Sequence, residues 1–239
     1  MSNFTTLLFD LDGTLLPLDN DHFTKGYFKH LVPLLAHLLP PEKFVEQLWK
    51  STEAMVRSND PERTNEEVFK ADFLAAVGGK EEDYWPIVEA FYAGKFGELI
   101  ELSSPTPLAR EICQVALDKG YRLVLATNPL FPRTATQHRM RWANIQDIPF
   151  ELVTTYENNH FCKPNPNYYK EIVQKIGVAP EDCMMIGNDA YEDLIAGTLG
   201  MKTYWVTDCA KEDGKKLPFD HSGSMNDLLR FITELPNLR

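Results

Sequence analysis

The sequence predicts an α/β fold: a three-layer, Rossmann-like core with a parallel central sheet, interrupted by an inserted helical domain. Near the N-terminus a short apolar run ends in two aspartates, residues 17–100 show only helical periodicity, and from residue 105 onward apolar runs alternate with helical patterns. Strands separated by helices indicate a parallel sheet covered on both faces. We therefore expect a core domain of residues 1–16 and 101–239 and a helical domain of residues 17–100.

The first strand is the apolar run of residues 4–9, which is followed by Asp10, Asp12 and Gly13. Its Phe and Leu content is typical of a buried strand. Because side chains alternate along an extended chain, Asp10 and Asp12 should lie on one side as the chain leaves the sheet. Two neighbouring carboxylates need a cation or a shared proton. The pattern predicts a metal-assisted nucleophile with an acid/base partner.

The helical domain contains four predicted helices and no strand alternation. Proline at a helix start, a capping box and apolar residues at helical spacing define them. They cover residues 21–39, 42–58, 64–78 and 81–97.

The rest of the chain alternates between helix and strand. The predicted helices are 107–119, 133–143, 165–177, a segment ending at 200, and 225–235; the predicted strands are 121–126, 150–155, 183–186 and 203–207. In parallel sheets, ligands bind at the carboxyl ends of the strands. Polar residues that follow these strands are therefore the candidates for a functional site.

Three polar clusters follow strands or lie in neighbouring loops. They are Thr127 with Asn128, Lys163 before Pro164, and the acidic run of Asn188, Asp189 and Asp193. A hydroxyl, backbone amides and a lysine can bind phosphoryl oxygens, and oxygen ligands at a strand end suit Mg²⁺. Taken singly, each cluster also fits a turn, a solvated lysine or a helix cap. Parallel topology brings all of them to one edge.

With these motifs in this order, the chain resembles the haloacid dehalogenase-like (HAD) superfamily with a helical cap of the C1 type. Its motifs correspond to residues 10–14 (Asp-Leu-Asp-Gly-Thr), Thr127, Lys163 before Pro164, and residues 187–193. The acidic fourth motif usually has aspartate directly after the glycine, where this chain has Asn188. Either the Asn188 amide oxygen or the Asp189 carboxylate could supply the third metal ligand.

The resemblance implies a Mg²⁺-dependent phosphatase that acts on a small phosphorylated metabolite through an aspartyl phosphate. Asp10 would be the nucleophile and Asp12 the general acid/base. Asp10, the Asp12 carbonyl and the fourth motif would bind Mg²⁺. Lys163 and Thr127 would bind the phosphoryl group, and Asp193 would orient Lys163. The backbone amides of Leu11 and Asn128 would assist phosphoryl binding.

Three other functions remain open at this point. A sugar phosphomutase would use the same Asp10 and Asp12 but pass the phosphoryl group to a sugar. A 2-haloacid dehalogenase needs neither Asp12 as an acid nor a metal. A non-catalytic binding module would be consistent with the substitution at Asn188, but Asp10, Asp12, Thr127 and Lys163 are all present.

The composition of the chain restricts the classes of molecule that we expect it to bind. A formal net charge of −11 disfavours nucleic acid and anionic membranes, so we expect a small phosphate ester as the substrate. The N-terminus lacks a signal-peptide pattern and the four cysteines are scattered, which predicts a cytoplasmic protein with reduced thiols. The sequence leaves monomer and homodimer open.

Two groups of residues are weaker candidates. Phe23, Tyr27 and His30 on the first helix could contact substrate, although such aromatic residues more often form a bundle core. The second group could attract an anionic substrate tail and consists of Arg133, Arg139 and Arg141. A solvated helix face is the more common arrangement for such residues.

Overall fold

The computed structural model describes residues 4–212 and 217–238. Within them, six parallel strands form one sheet in the order β3-β2-β1-β4-β5-β6. The predicted α/β fold with a parallel sheet is therefore confirmed. The strands are β1 Thr6–Phe9, β2 Arg122–Leu125, β3 Leu152–Val153, β4 Cys183–Gly187, β5 Lys202–Val206 and β6 His221–Gly223.

Eight α-helices and three 3₁₀ helices accompany the sheet in the described part of the chain. The α-helices are α1 Asn20–Leu35, α2 Pro41–Arg57, α3 Asn65–Val77, α4 Glu81–Ala93, α5 Pro107–Asp118, α6 Arg133–Trp142, α7 Pro166–Ile176 and α8 Met225–Glu234. The 3₁₀ helices are Lys95–Leu102, Pro180–Asp182 and Leu194–Leu199. None of the helices in the described ranges combines the length and the apolar character needed to cross a bilayer.

Local sequence explains where several helices begin and end. Thr64 accepts a hydrogen bond from the Glu67 amide, and the Glu67 carboxylate accepts one from the Thr64 amide, so the predicted capping box is formed. Asn165 caps α7, and Gly177 ends it in the left-handed conformation that glycine tolerates best.

The structure differs from the predicted elements in three places. The segment after β4 is a 3₁₀ helix rather than an α-helix. The fourth helix stops at Ala93 and is followed by a separate 3₁₀ helix. Strand β6, which is short, polar and at the edge of the sheet, was not predicted. An edge strand of this composition carries no apolar alternation from which it could be recognised.

Strand β1 lies at the centre of the sheet between β2 and β4, and all four of its residues are buried. Leu7 and Phe9 pack into the cluster that includes residues of α5 and α8, whereas Leu8 packs against α7 on the opposite face. The strand is thus covered on both faces, as expected for a parallel sheet. This packing fixes the position of the residues that follow Phe9.

Residues 20–102 contain α1–α4 and a 3₁₀ helix, and we call them the helical segment. The chain enters and leaves it at neighbouring points, because Leu18 bridges to Ser103 and the Ser104 amide donates to the Pro17 carbonyl at 2.8 Å. This arrangement is compatible with the predicted division into residues 1–16 with 101–239 and residues 17–100. That division stays a prediction.

Candidate active site

Asp10 directly follows β1 and lies against a buried lysine. Its amide donates to the Ile186 carbonyl of β4 at 2.9 Å, which continues the sheet pairing. Lys163 Nζ lies 2.8 Å from Asp10 Oδ1 and 2.6 Å from Asp193 Oδ1. The lysine side chain is only 1% exposed. Three of the predicted site residues, from three separate loops, are therefore joined by two charge-assisted hydrogen bonds.

The charges of Asp10, Lys163 and Asp193 depend on one another. Burial disfavours the Lys163 ammonium, but the carboxylates of Asp10 and Asp193 outweigh that effect and hold the pKa of Lys163 well above its usual value. Burial raises the pKa of Asp10, against the opposing effect of Lys163. Burial also raises the pKa of Asp193, to about 6. The lysine is thus firmly cationic, and the two carboxylates compete for its charge.

Asp12 has a cation of its own. The Arg139 guanidinium donates to Asp12 Oδ2, and its other nitrogens donate to the Thr136 hydroxyl at 3.1 Å and the Ala135 carbonyl at 3.4 Å. The guanidinium carbon lies 4.8 Å from the centre of the Phe131 ring, within cation–π range. The sequence predicted that two adjacent carboxylates need a cation or a shared proton. The protein itself supplies a cation for each.

This contact corrects the expectation for the arginines of α6. Arg133 and Arg141 are exposed, as expected of a solvated helix face, whereas Arg139 is 1% exposed and directed at Asp12. Ala135 and Trp142, also buried, flank Arg139 at helical spacing. An arginine within the apolar stripe of a helix is the sequence signal that could have identified it.

Thr14 joins the first motif to the fourth. Its hydroxyl donates to Asn188 Oδ1 at 3.0 Å and lies 3.3 Å from Asp10 Oδ2. Gly13 has a φ of 86°, and a Cβ there would lie 2.4 Å from Asn188 Nδ2. Glycine is therefore required both by the backbone conformation and by the close approach of the Asn188 amide.

Asp189 has a different set of hydrogen-bond partners. Its Oδ1 accepts hydrogen bonds from the amides of Tyr191 and Glu192 at 2.8 and 2.7 Å, and its Oδ2 lies 3.4 Å from Lys211 Nζ. The Asp189 carboxylate thus stabilises the turn after β4. Of the two alternatives for the third metal ligand, the geometry favours Asn188.

The donor set fits a hard divalent cation. Asp10 Oδ2 and Asn188 Oδ1 contact the same Thr14 hydroxyl and so lie no more than about 6.3 Å apart. Mg²⁺ prefers oxygen ligands and retains several waters, so one carboxylate, one amide oxygen and the Asp12 carbonyl are an adequate set. In the described part of the chain, no three His, Cys, Asp or Glu side chains form a metal-binding group.

Thr127 and Asn128 lie directly after β2, at the same edge of the sheet. The Thr127 carbonyl accepts hydrogen bonds from the hydroxyls of Thr154 and Tyr168 at 2.6 and 2.9 Å, which fixes the backbone there. The Asn128 side chain accepts from the Lys163 amide at 3.2 Å. The loop carrying Thr127 is thereby tied to the loop carrying Lys163.

Glu192 is a further acidic residue at this edge that the sequence did not single out. Its Oε2 accepts a hydrogen bond from Asn128 Nδ2 at 3.0 Å. Burial and the neighbouring Asp189 carboxylate raise the pKa of Glu192. With Asp10, Asp12, Asp193 and Glu192 near one another, carboxylates outnumber the buried cations, which favours binding of an additional cation.

Comparison with known proteins gives one family. A family model described as haloacid dehalogenase-like hydrolase matches residues 4–199. Among curated proteins, the chain is 24% identical over 247 residues to a pyrophosphatase PpaX from Bacillus pumilus, with 97% of each chain covered.

Solved structures of related fold include both phosphatases and dehalogenases. A HAD phosphatase from Thermococcus onnurineus matches with a TM-score of 0.63 and 17% identity, covering 98% of this chain and all of the other. L-2-haloacid dehalogenase from Xanthobacter autotrophicus matches with a TM-score of 0.58 and 14% identity, covering 97% and 99%. At these identities the likeness concerns the fold alone, so the chemistry must be argued from the site.

Proposed function

This chain belongs to the haloacid dehalogenase-like hydrolases, and we propose that it is a Mg²⁺-dependent phosphatase that hydrolyses a small phosphate monoester through an aspartyl phosphate. The observation that carries the proposal is the pair of carboxylates after β1, each in contact with a different buried cation: Asp10 with Lys163 and Asp12 with Arg139. A dehalogenase would have no use for the second carboxylate. Hydrolysis through an aspartyl phosphate uses the second carboxylate in both steps, first as an acid and then as a base.

In the proposed reaction, Asp10 attacks phosphorus, and the bond from phosphorus to the alcohol oxygen breaks. Asp12 donates a proton to the departing oxygen. Water then attacks phosphorus, Asp12 accepts its proton, and the bond to Asp10 breaks, which releases inorganic phosphate and regenerates the nucleophile. Lys163 and Thr127, with the amides of Leu11 and Asn128, would bind the phosphoryl oxygens.

Mg²⁺, when bound, would screen the repulsion between the nucleophile and the phosphate. Asp10, the Asp12 carbonyl and Asn188 are the proposed ligands, and Asp189 is the alternative to Asn188.

Two residues contribute to the proposed reaction by holding other side chains in position. Asp193 accepts from Lys163 at 2.6 Å and so keeps the ammonium beside Asp10. Arg139 holds one oxygen of Asp12, which fixes the orientation of the acid/base for both of its proton transfers. Both are positioning residues, since neither would touch the substrate.

The curated relative named as a pyrophosphatase supports phosphoryl transfer, but its identity to this chain is too low to transfer its substrate. We propose a phosphate monoester because the protonation step assigned to Asp12 matters most for an alcohol, which is a poor leaving group without a proton.

The test is release of inorganic phosphate from a panel of phosphate monoesters by the purified protein, with Mg²⁺ and with excess EDTA. Metal-dependent release supports the proposal. Isomerisation of a sugar phosphate without phosphate release would identify a phosphomutase. Metal-independent halide release from 2-chloropropionate would identify a dehalogenase, and inactivity on every substrate would favour a binding module.

A further inference from the structure

The helical segment lines a cavity of about 170 Å³. Helices α1–α4 form most of its wall, and the remainder comes from residues 130–132 and Tyr156 of the core. The rings of Phe23, Tyr27 and Trp85 are among the many aromatic groups that line it. A cavity of this volume is large enough to hold a small apolar group.

The wall is uncharged. Among the residues that the structure describes, no Asp, Glu, Lys, Arg or His lines the cavity. The Tyr27 and Tyr92 hydroxyls satisfy each other at 2.7 Å, and burial raises the pKa of both, for Tyr92 to about 12, so both stay neutral. Most of the remaining lining side chains are aliphatic or aromatic. The wall therefore suits a hydrocarbon group and offers no partner for a charged one.

The cavity adjoins the proposed active site. Phe131 lines it, and the same ring carries the Arg139 guanidinium that binds Asp12. Leu130, also in the wall, lies three residues after Thr127, so their Cα atoms are at most about 11 Å apart. A molecule with its phosphate at Thr127 and Lys163 is within reach of the cavity through its alcohol part.

From this geometry we propose that the cavity receives the alcohol part of the substrate, and that the substrate is a phosphate monoester carrying one aromatic ring or a branched hydrocarbon of similar size. The proposal rests on the proposed function. A dry apolar cavity of about 150 Å³ is large enough to bind benzene, which sets the size of the group. The anionic end would remain with Lys163, outside the uncharged wall.

The first experiment compares ethyl phosphate with 2-phenylethyl phosphate, which both release a primary alcohol and differ by one phenyl ring. Burial of that ring should raise kcat/KM by about 10- to 100-fold in favour of 2-phenylethyl phosphate. Equal kcat/KM for the two esters would overturn the proposal.

The second experiment fills the cavity. Val88 lines it, whereas its neighbour Glu89 is exposed on the outside of α4. Val88→Phe should lower kcat/KM for 2-phenylethyl phosphate at least about tenfold and leave that for ethyl phosphate within about twofold. Glu89→Gln should change neither. An equal loss on both esters in a folded Val88→Phe protein would contradict the proposal.

A binding measurement separates this inference from the proposed function and needs no cavity variant. Trp49 and Trp85 line the cavity, so titration with 2-phenylethanol should change the tryptophan fluorescence of the wild-type protein in a saturable way. If that change occurs but no phosphate ester is hydrolysed, the cavity assignment holds and the phosphatase proposal fails. If the wild-type protein gives no saturable change, the cavity assignment is wrong.

Discussion

The sheet edge and the helical segment differ in the interactions that hold their side chains. At the sheet edge, Lys163 and Arg139 are almost fully buried, and each is held by carboxylates through directional hydrogen bonds. In the helical segment, an uncharged aromatic wall lines an open cavity. Charge-assisted hydrogen bonds fix geometry, whereas apolar contacts are non-directional. Substitutions at the edge should therefore change the rate with every substrate, and those in the cavity should change which substrate is preferred.

Asp10→Asn should have the largest effect, because it removes the nucleophile. We expect phosphate release to fall by about 10⁴-fold or more with every substrate. The measurement is steady-state phosphate release, with thermal denaturation as the check on folding. A folded Asp10→Asn protein that retains substantial activity would rule out the nucleophile assignment.

Lys163→Met should affect both rate and stability. It leaves the buried carboxylates of Asp10 and Asp193 without their shared cation, at a cost of about 3–5 kcal/mol in the free energy of unfolding. It should also lower kcat for ethyl and 2-phenylethyl phosphate alike. Urea denaturation measures the first effect. Lys170→Met, an exposed lysine on α7, is the control and should be neutral. Unchanged stability of Lys163→Met would mean that the ion pairs contribute little.

Arg139→Gln should lower kcat/KM for alkyl phosphates, which reports the step in which Asp12 donates its proton, by about 10²-fold, the lower end of what positioned acid/base catalysis contributes. The loss should be smaller for p-nitrophenyl phosphate, whose leaving group departs without a proton. Arg141→Gln, an exposed neighbour on the same helix, should match wild type. If Arg139→Gln lowers kcat/KM equally for both classes of substrate, Arg139 is needed for folding rather than for the orientation of Asp12.

Asn188→Ala and Asp189→Asn compare the two alternatives for the metal ligand. Loss of a ligand or of its supporting contacts should raise the Mg²⁺ concentration for half-maximal activity about 10- to 100-fold. We expect that shift for Asn188→Ala and a smaller one for Asp189→Asn, because the Asp189 carboxylate binds the amides of its own turn. The reverse order would identify Asp189 as the ligand.

Tyr27→Phe should have the smallest effect. It removes one hydroxyl from the hydrogen bond with Tyr92 and should cost about 1 kcal/mol of stability. The rate with ethyl phosphate should not change, since the cavity does not take part in the chemistry. A large loss of activity with ethyl phosphate would show that the helical segment does contribute to catalysis.

The strands at the centre of the sheet could be predicted because their apolar runs are unambiguous. Their parallel direction then predicted that Asp10, Lys163 and Asp193 lie at one edge. The polar edge strand β6 offered no such pattern. The 3₁₀ helix after β4 was also missed, since residue spacing does not distinguish 3₁₀ from α-helix over six residues.

The apolar stripe of α6 could mark Arg139 as a buried residue, but local sequence could not give its partner. Asp12 is 127 positions away from Arg139, and only the tertiary fold brings the two together. The choice between Asn188 and Asp189 likewise depended on tertiary contacts, namely the approach of Thr14 to Asn188. Motif spacing located the functional elements, and side-chain packing determined which residues within them meet.

The central claim is that Asp10 becomes phosphorylated during turnover. Rapid acid quenching of the wild-type protein with 2-phenylethyl phosphate and Mg²⁺, followed by proteolysis and mass spectrometry, should give a phosphorylated peptide with the modification on Asp10. The same treatment of Asp10→Asn should give none. Phosphate release by the wild-type protein with no phosphorylated Asp10 peptide at any quench time, or with the phosphoryl group on another residue, would contradict the account.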